Sequence, residues 1–290
     1  MRPRERIDYI PITDREPLRF PGDTRLVVWP VVNVEDWDVD KAMPRTVLPA
    51  PGGKVHVPDL PNWAWYEYGM RVGFWRLKAA LDRFGIRATL SINAAVCENY
   101  PALAGAARDA RWEFMAHAYV QGPMHLIDDQ RAEIRHALEV IERFTGKRSR
   151  GWLGPGLTET FETLDHLAAE GVEYVGDWVL DDQPCALATR HGPVVSIPYT
   201  VELNDILIML VQHHKAAELY DRTMDQFERL YADGEATARV MCLAVHPYIT
   251  GVPHRIRYFE EALRAMSERP GVAFWTGEEI LDWYQAAQGG

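Results

Sequence analysis

Strand patterns alternate with amphipathic helix patterns along most of the chain. The first strand pattern, Leu26–Val34, is continuously apolar and rich in β-branched residues. Such a run is typical of a strand buried on both faces of a parallel sheet. Helical patterns follow it, with apolar residues three and four positions apart, for example over residues 70–84 and 256–266.

Eight strand patterns are separated by helices or by long connections. They lie at residues 26–34, 88–93, 112–116, 151–153, 172–175, 194–198, 240–245 and 272–275. Parallel strands require crossover connections of this kind, which are usually helices. The alternation therefore predicts one α/β domain, most simply a barrel of seven or eight strands.

Two segments fall outside this alternation. Residues 1–24 are rich in Pro, Arg and Asp, and they predict an extended N-terminal arm before a catalytic domain at residues 25–290. Residues 44–61 contain repeated prolines and are predicted to form a long irregular loop that ends in the aromatic residues Trp63, Trp65, Tyr66 and Tyr68. A loop of that length indicates either a lid or pocket wall or a structural Ω-loop, and the sequence favours neither.

Composition narrows the class of protein. The chain has 290 residues, of which 47% are hydrophobic, and a formal net charge of −11, which argues against a nucleic-acid or anionic-membrane partner. Its three cysteines form no CxxC pair, so neither a disulfide framework nor a thiolate metal site is expected. The first residues lack the apolar core of a signal peptide, and no apolar run approaches the ~20 residues that span a bilayer. A reduced, cytoplasmic protein is therefore expected.

Reactive side chains follow the predicted strands. Those just after a strand pattern are Glu35, Asp36, His117, Asp177 and His246. Taken singly, a strand-end acid is usually a helix cap and a lone histidine is usually structural. In a parallel barrel, however, these strand ends share one face, so the five side chains are expected to converge on one pocket.

The chemistry that such a pocket supports is hydrolysis. A carboxylate can take a proton from water, and an imidazole can protonate a departing amine. A second carboxylate together with histidines can hold a divalent ion that polarises a carbonyl group. The sequence contains no Gly-x-Ser-x-Gly elbow and no Gly-x-Gly-x-x-Gly after the first strand, which disfavours a serine nucleophile and a dinucleotide cofactor.

Four segments in order resemble the polysaccharide deacetylase (NodB-homology) superfamily. They are Asn33-Val34-Glu35-Asp36, Glu113-Phe114-Met115-Ala116-His117, Arg150-Gly151-Trp152-Leu153-Gly154-Pro155-Gly156 and Cys242-Leu243-Ala244-Val245-His246-Pro247. The resemblance extends from about Tyr9 to Tyr284 and is strongest to the branch of allantoinases and cyclic imide hydrolases. It implies a distorted (β/α) barrel, in agreement with the strand and helix patterns.

The resemblance also implies roles for single residues. Glu35 would be the general base, Asp36 and His117 the first two metal ligands, and His246 the general acid. Groove positions would be Trp152, Leu153 and Pro155. Pocket-forming stretches of the same branch would supply Asp177, Asn204 and Asp205, although a polar turn at the end of a strand explains the last two equally well.

Two positions depart from the family pattern. The base is Glu35, where sugar deacetylases carry Asp. Gln121 occupies the position of the second metal histidine, and His125, four residues further on, is the alternative ligand. Two protein ligands bind Zn²⁺ poorly, because such sites usually have three. The cofactor expectation is therefore either none or one divalent metal ion such as zinc.

The expected function is hydrolysis of a carbon–nitrogen bond other than a peptide bond. An activated ureide or cyclic imide needs less polarisation than an acetamide, so a small amide, ureide or cyclic imide is the expected substrate. Two alternatives remain: a metal-dependent N-deacetylase of a carbohydrate, and a catalytically silent deacetylase-like binding protein. The expected partner is a small-molecule substrate, with no nucleic acid and no membrane, and the family resemblance implies a homo-oligomer.

Overall fold

The computed structural model describes residues 1–289, and a nine-stranded sheet organises them. The strands are β1 Leu26–Val34, β2 Thr89–Ile92, β3 Glu113–Ala116, β4 Gly151–Trp152, β5 Tyr174–Val175, β6 Cys185–Leu187, β7 Val194–Ser196, β8 Arg239–Val245 and β9 Val272–Phe274. Their order across the sheet is β6-β7-β5-β4-β3-β2-β1-β8, and β9 pairs with β1 beside the start of that strand. All pairs are parallel except β6 with β7.

Helices connect the strands and cover the outer face of the sheet. They are α1 Pro3–Arg6, α2 Leu60–Tyr68, α3 Phe74–Arg83, α4 Val96–Asn99, α5 Pro101–Asp109, α6 Gln130–Thr145, α7 Thr163–Ala169, α8 Ala217–Asp233, α9 Ile256–Ser267 and α10 Gly277–Gln288. Two π-helical turns, Gly69–Gly73 and Ile206–Val211, and four 3₁₀ turns, Ile12–Asp14, Pro51–Gly53, Met124–Leu126 and Pro155–Leu157, complete the backbone. Within residues 1–289, no helix has the length and apolar character needed to cross a membrane.

The sheet curls into a half-barrel with a core on each face. Side chains alternate between the two faces of a strand, so Val28 and Val32 of β1 pack against the helices while Trp29 and Val31 point into the concave interior. Both sets are fully buried. Burial on both faces explains the unbroken apolar run of β1, and each such large side chain contributes about 1.5–3 kcal/mol of hydrophobic free energy.

A buried polar cluster closes the end of the sheet opposite the carboxyl ends of the strands. The Thr89 and Tyr174 hydroxyls donate to Glu113, at 2.6 and 2.5 Å, and the backbone N–H of Gly277 at the start of α10 donates to Thr89. Burial, helped by the charge of Glu278, raises the pKa of Glu113 to about 7. The cluster ties the C-terminal helix to the sheet.

The strand and helix patterns predicted the architecture correctly, with two local exceptions. Each of the eight predicted strands is present, and the expected distorted α/β barrel in one domain is confirmed. The sequence missed β6, an edge strand whose three residues are too few to show a strand periodicity. The prediction that the four aromatics end an irregular loop was wrong, because they lie in α2, which begins where Asp59 caps the backbone N–H of Asn62.

The N-terminal segment runs over the surface of the domain and is attached at defined points. The buried guanidinium of Arg6 pairs with Asp165 at 3.0 Å and donates to the backbone oxygens of Phe161 and Ala188. Further along, the backbone oxygen of Leu18 accepts from Ala238. A buried, hydrogen-bonded arginine is costly to release, so the segment is held against the domain.

Candidate active site

The two adjacent acids after β1 point to opposite faces of the sheet. Asn33 and Glu35 continue the interior-facing register of Trp29 and Val31, whereas Asp36 hydrogen-bonds with Asn99 of α4 on the helix side. The period of two in an extended chain produces this separation. The carboxylates of Glu35 and Asp36 therefore lie on different sides of the sheet, although the two residues are adjacent in sequence.

Three donors hold the Glu35 carboxylate. Trp37 Nε1 and the Tyr248 hydroxyl donate to Oε2 at 2.6 and 3.1 Å, and Gln121 Nε2 donates to Oε1 at 3.1 Å. Glu35 is only 3% exposed. These hydrogen bonds fix the direction in which the free lone pairs of Oε1 point.

An aromatic cluster encloses this carboxylate. Trp37 stacks on Tyr66 with ring centroids 4.7 Å apart, and Trp65 meets Tyr248 edge to face at 5.0 Å. The Tyr66 hydroxyl donates to the backbone oxygen of Glu35 at 2.7 Å, which ties the acid to α2. Trp65 and Tyr66 of α2 thus form one wall of the site together with Trp37 and Tyr248.

Asp205 fixes the orientation of His246. Asp205 Oδ1 lies 2.6 Å from His246 Nδ1, and Oδ2 accepts from the His246 backbone N–H at 2.7 Å and from the Thr250 hydroxyl at 2.6 Å. Asp205 has no exposed surface. Because a carboxylate only accepts hydrogen bonds, Nδ1 carries a hydrogen, and Nε2 is the nitrogen left for chemistry.

The free nitrogen of His246 faces Glu35. Nε2 lies 3.7 Å from Glu35 Oε1, and His246 is 3% exposed. A carboxylate and an imidazole at this separation, both fixed by other hydrogen bonds, suit a base and an acid that act on the two sides of one scissile bond. The arrangement joins residues from the ends of β1 and β8, which are neighbours in the sheet.

His117 contributes a third fixed side chain to the same interior. Its Nδ1 lies 2.5 Å from the backbone oxygen of Leu153, so Nδ1 carries a hydrogen and Nε2 is an acceptor in the neutral ring. Burial lowers the pKa of His117 to about 4, and the nearby charge of Glu35 opposes that shift only in part. His117 is therefore neutral at pH 7.

The donor set around Asp36 does not fit a divalent metal ion. One Asp36 oxygen accepts from Asn99 at 2.6 Å, and burial, the largest effect, raises the pKa of this carboxyl. Gln121 offers only a neutral amide oxygen, and His125 lies exposed in a 3₁₀ turn. Across residues 1–289, no three His, Cys, Asp or Glu side chains gather as a metal-binding group. Zinc sites in proteins usually take three such ligands, so we derive no step through a metal.

The predicted groove and pocket residues have different placements. Leu153 faces the interior of the sheet. Trp152 packs on the helix side instead, with no hydrogen-bond partner for Nε1, so it does not lie at the predicted groove. Pro155 is buried in the turn that follows them. Asn204 is 8% exposed, and its amide donates to the Tyr199 hydroxyl at 3.3 Å.

Asp177 and Asp205 support the site instead of facing a substrate. Asp177 accepts from the Gly154 backbone N–H at 2.7 Å, and burial together with the neighbouring charge of Glu159 raises its pKa well above the usual range. It therefore holds the turn after Leu153. Asp205 has both oxygens occupied by His246 and Thr250, so no surface is left for the substrate contact predicted from the sequence.

Sequence reasoning missed the residues that orient Glu35 and His246. Trp37, Tyr248 and Thr250 contact Glu35 or Asp205, and none of them was predicted to have a role. Trp37 and Tyr248 each lie two residues from a predicted catalytic group, which is a signal that could have been used. Nothing local indicates that Asp205 meets His246, 41 residues away.

Comparisons with known proteins agree with this architecture. No family model matches the sequence. A curated Schizosaccharomyces pombe protein described as a polysaccharide deacetylase is 24% identical over 244 residues, 76% of this chain and 75% of the relative. The structure of a polysaccharide deacetylase from Pseudomonas aeruginosa matches with a TM-score of 0.86 at 24% identity, covering 94% of this chain and 95% of its own. The structure of Puue allantoinase matches with a TM-score of 0.88 at 23% identity, covering 97% and 98%.

The two structural matches run over nearly the whole chain, and their descriptions name a polysaccharide deacetylase and an allantoinase. The curated relative adds a match in sequence to the matches in fold. The chain has the fold of the polysaccharide deacetylase (NodB-homology) superfamily, and the predicted resemblance to that superfamily is confirmed.

Proposed function

We propose that the protein is a hydrolase that cleaves a carbon–nitrogen bond other than a peptide bond in a small amide, ureide or cyclic imide. The observation that carries the proposal is the 3.7 Å contact between Glu35 Oε1 and His246 Nε2, with each side chain fixed by further hydrogen bonds. The similarity to structures of a polysaccharide deacetylase and an allantoinase supports the same reaction class.

The mechanism needs only the chain's own residues. Glu35 takes a proton from a water molecule, whose oxygen attacks the carbonyl carbon. The imidazolium form of His246, oriented by Asp205, donates its Nε2 proton to the leaving nitrogen as the carbon–nitrogen bond breaks. Glu35 then holds the proton taken from water and His246 lacks one, and the short separation of their atoms allows that proton to pass from Glu35 to His246, which restores both groups.

Burial of the site favours a small substrate. Glu35, His117 and His246 are each 3% exposed, and the aromatic wall shields one side of the Glu35 carboxylate from bulk solvent. Shielding from bulk solvent strengthens the electrostatic contacts of the charged groups. It also gives a polymer chain little room, which is why we favour a ureide or imide over a polysaccharide.

A substrate screen with two site variants tests the proposal. We expect turnover of at least one of allantoin, hydantoin, succinimide or a simple amide, unchanged after treatment with a chelator. Glu35→Gln and His246→Ala should each lower kcat by ~10²-fold or more. Matched changes on α6, Glu133→Gln and His136→Ala, should leave kcat unchanged.

Two results would redirect the proposal. Wild-type rates in both site variants would remove Glu35 and His246 from the mechanism. Turnover of N-acetylated sugars that is lost on chelation and regained with zinc would favour the metal-dependent deacetylase, which the curated relative and the Pseudomonas aeruginosa structure also suggest. Absence of turnover with every compound would favour a silent binding protein.

A further inference from the structure

The side chain of Gln121 has a defined orientation. Its Nε2 donates to Glu35 Oε1 at 3.1 Å, and its backbone N–H donates to the backbone oxygen of Asp36 at 3.0 Å. A carboxylate accepts hydrogen bonds only, so the NH₂ group and not the oxygen must face Glu35. The amide oxygen Oε1 consequently points away from Glu35, where it is buried and has no partner.

A second acceptor lies near the same carboxylate. Gln121 Nε2 donates to Glu35 Oε1, and the Glu35 charge acts on the nearby His117 ring. Because the His117 Nδ1 hydrogen is used by the Leu153 backbone oxygen, the remaining nitrogen Nε2 offers a lone pair. The Gln121 oxygen and His117 Nε2 are therefore two acceptors in the surroundings of Glu35, and the Gln121 oxygen has no donor.

An unsatisfied buried acceptor is costly, so this position is suited to a ligand that donates. The same place borders the nitrogen of His246 that the proposed mechanism uses, because Gln121 and His246 both approach Glu35 Oε1. A group held there lies next to the proton donor for the leaving nitrogen.

We propose that His117 Nε2 and Gln121 Oε1 receive the N–H of the leaving nitrogen, so that the enzyme selects substrates whose scissile nitrogen carries a hydrogen. This inference rests on the proposed hydrolase function. Holding the existing N–H on one side directs the nitrogen lone pair toward His246, which protonates it. Gln121 is then a specificity-determining residue that replaces the histidine of the metal-binding pattern.

Matched substrate pairs test the inference. Succinimide is compared with N-methylsuccinimide, and hydantoin with 3-methylhydantoin, each rate being divided by that of uncatalysed hydrolysis. We expect kcat/KM to favour the N–H member by ~10²-fold or more, because a site built to bond an N–H rejects an analogue that lacks it.

Variants separate this role from a structural one. Gln121→Leu removes both the acceptor and the contact with Glu35, and it should reduce the preference for N–H by ~10-fold or more as well as the overall rate. The control is Gln130→Leu, another buried glutamine, which bonds to Thr160 and Thr163 away from the site. It should leave the preference unchanged even if stability falls.

The outcomes distinguish the inference from the function on which it rests. Equal turnover of methylated and unmethylated members by the wild-type enzyme overturns the inference and leaves the hydrolase function standing. An equal fall for both members in Gln121→Leu also overturns it, since Gln121 would then only orient Glu35. Failure of the wild-type enzyme to hydrolyse any compound in the screen overturns both.

Discussion

Replacing Asp205 with asparagine tests whether the Asp205 carboxylate sets the tautomer of His246 that the proposed mechanism needs. The Asp205 carboxylate accepts three hydrogen bonds at 2.6–2.7 Å, two at Oδ2 and one at Oδ1 from the His246 ring. In Asp205→Asn, the oxygen can keep the two bonds from the His246 backbone and Thr250. The amide NH₂ then faces His246 Nδ1, which must become an acceptor, so the ring is held in the opposite tautomer.

The expected effects on rate and stability differ in size. The imidazolium form loses its carboxylate partner, and by analogy with other histidine–aspartate pairs kcat should fall ~10²- to 10⁴-fold. One charge-assisted hydrogen bond is lost from a residue without exposed surface, so the free energy of unfolding should fall by about 1–3 kcal/mol. The protein should remain folded, because the free energy of unfolding of a domain is usually larger than this loss.

The assay measures kcat, kcat/KM and the denaturant midpoint on the same preparations. The control is Thr250→Val, which removes one bond to the same carboxylate but leaves the contact with His246 Nδ1. It should lower stability by about 1 kcal/mol with a much smaller loss of rate. If Asp205→Asn kept kcat within about threefold of the wild type, the argument that Asp205 sets the protonation of His246 would be refuted.

Two further predictions concern stability. Burial raises the pKa of Glu113 from 4.5 to about 7 in the folded protein, so between these pH values Glu113 loses its proton only in the unfolded state. The free energy of unfolding should therefore fall by up to ~3 kcal/mol from pH 4.5 to 7. Denaturation of Glu113→Gln at pH 5 and pH 8 should not show this fall. Equal pH dependence in both proteins would contradict it. Gly73→Ala should destabilise the protein by about 1–3 kcal/mol or more and lower activity, because the added methyl would lie 2.0 Å from the backbone oxygen of Pro247, next to His246. The control is Gly105→Ala in α5, where no atom lies within 4 Å of the added methyl, and this change should be neutral or stabilising. Wild-type stability and activity in Gly73→Ala would show that the backbone contact at Gly73 is not tight.

Much of the fold could be predicted from local hydrophobic patterns, because those patterns follow from which side chains are buried. A strand buried on both faces must be apolar throughout, as Leu26–Val34 is, and a helix against a sheet must carry an apolar stripe. A very short strand gives no periodic signal, which is why the three-residue strand Cys185–Leu187 was missed. The aromatics of α2 were misassigned because the prolines before them suggested a loop, whereas Asp59 caps a helix there.

The sequence by itself determined which reactive residues end the strands. Glu35, His117 and His246 follow buried strands, and parallel strands bring their carboxyl ends to one face whatever the rest of the chain does. That inference needs only hydrophobic periodicity and the direction of the chain. It produced the set of candidate reactive residues before any contact was known, and the family resemblance then implied which of them would be base and acid.

Only the tertiary structure decided what those residues can do. The alternation of side chains sends Glu35 into the interior and Asp36 toward Asn99, and packing brings Asp205 to His246 across 41 residues. It also places the amide of Gln121 beside Glu35, where its oxygen is an acceptor without a partner. Such contacts join segments distant in sequence, so they depend on how the whole sheet curls, and no local pattern encodes them.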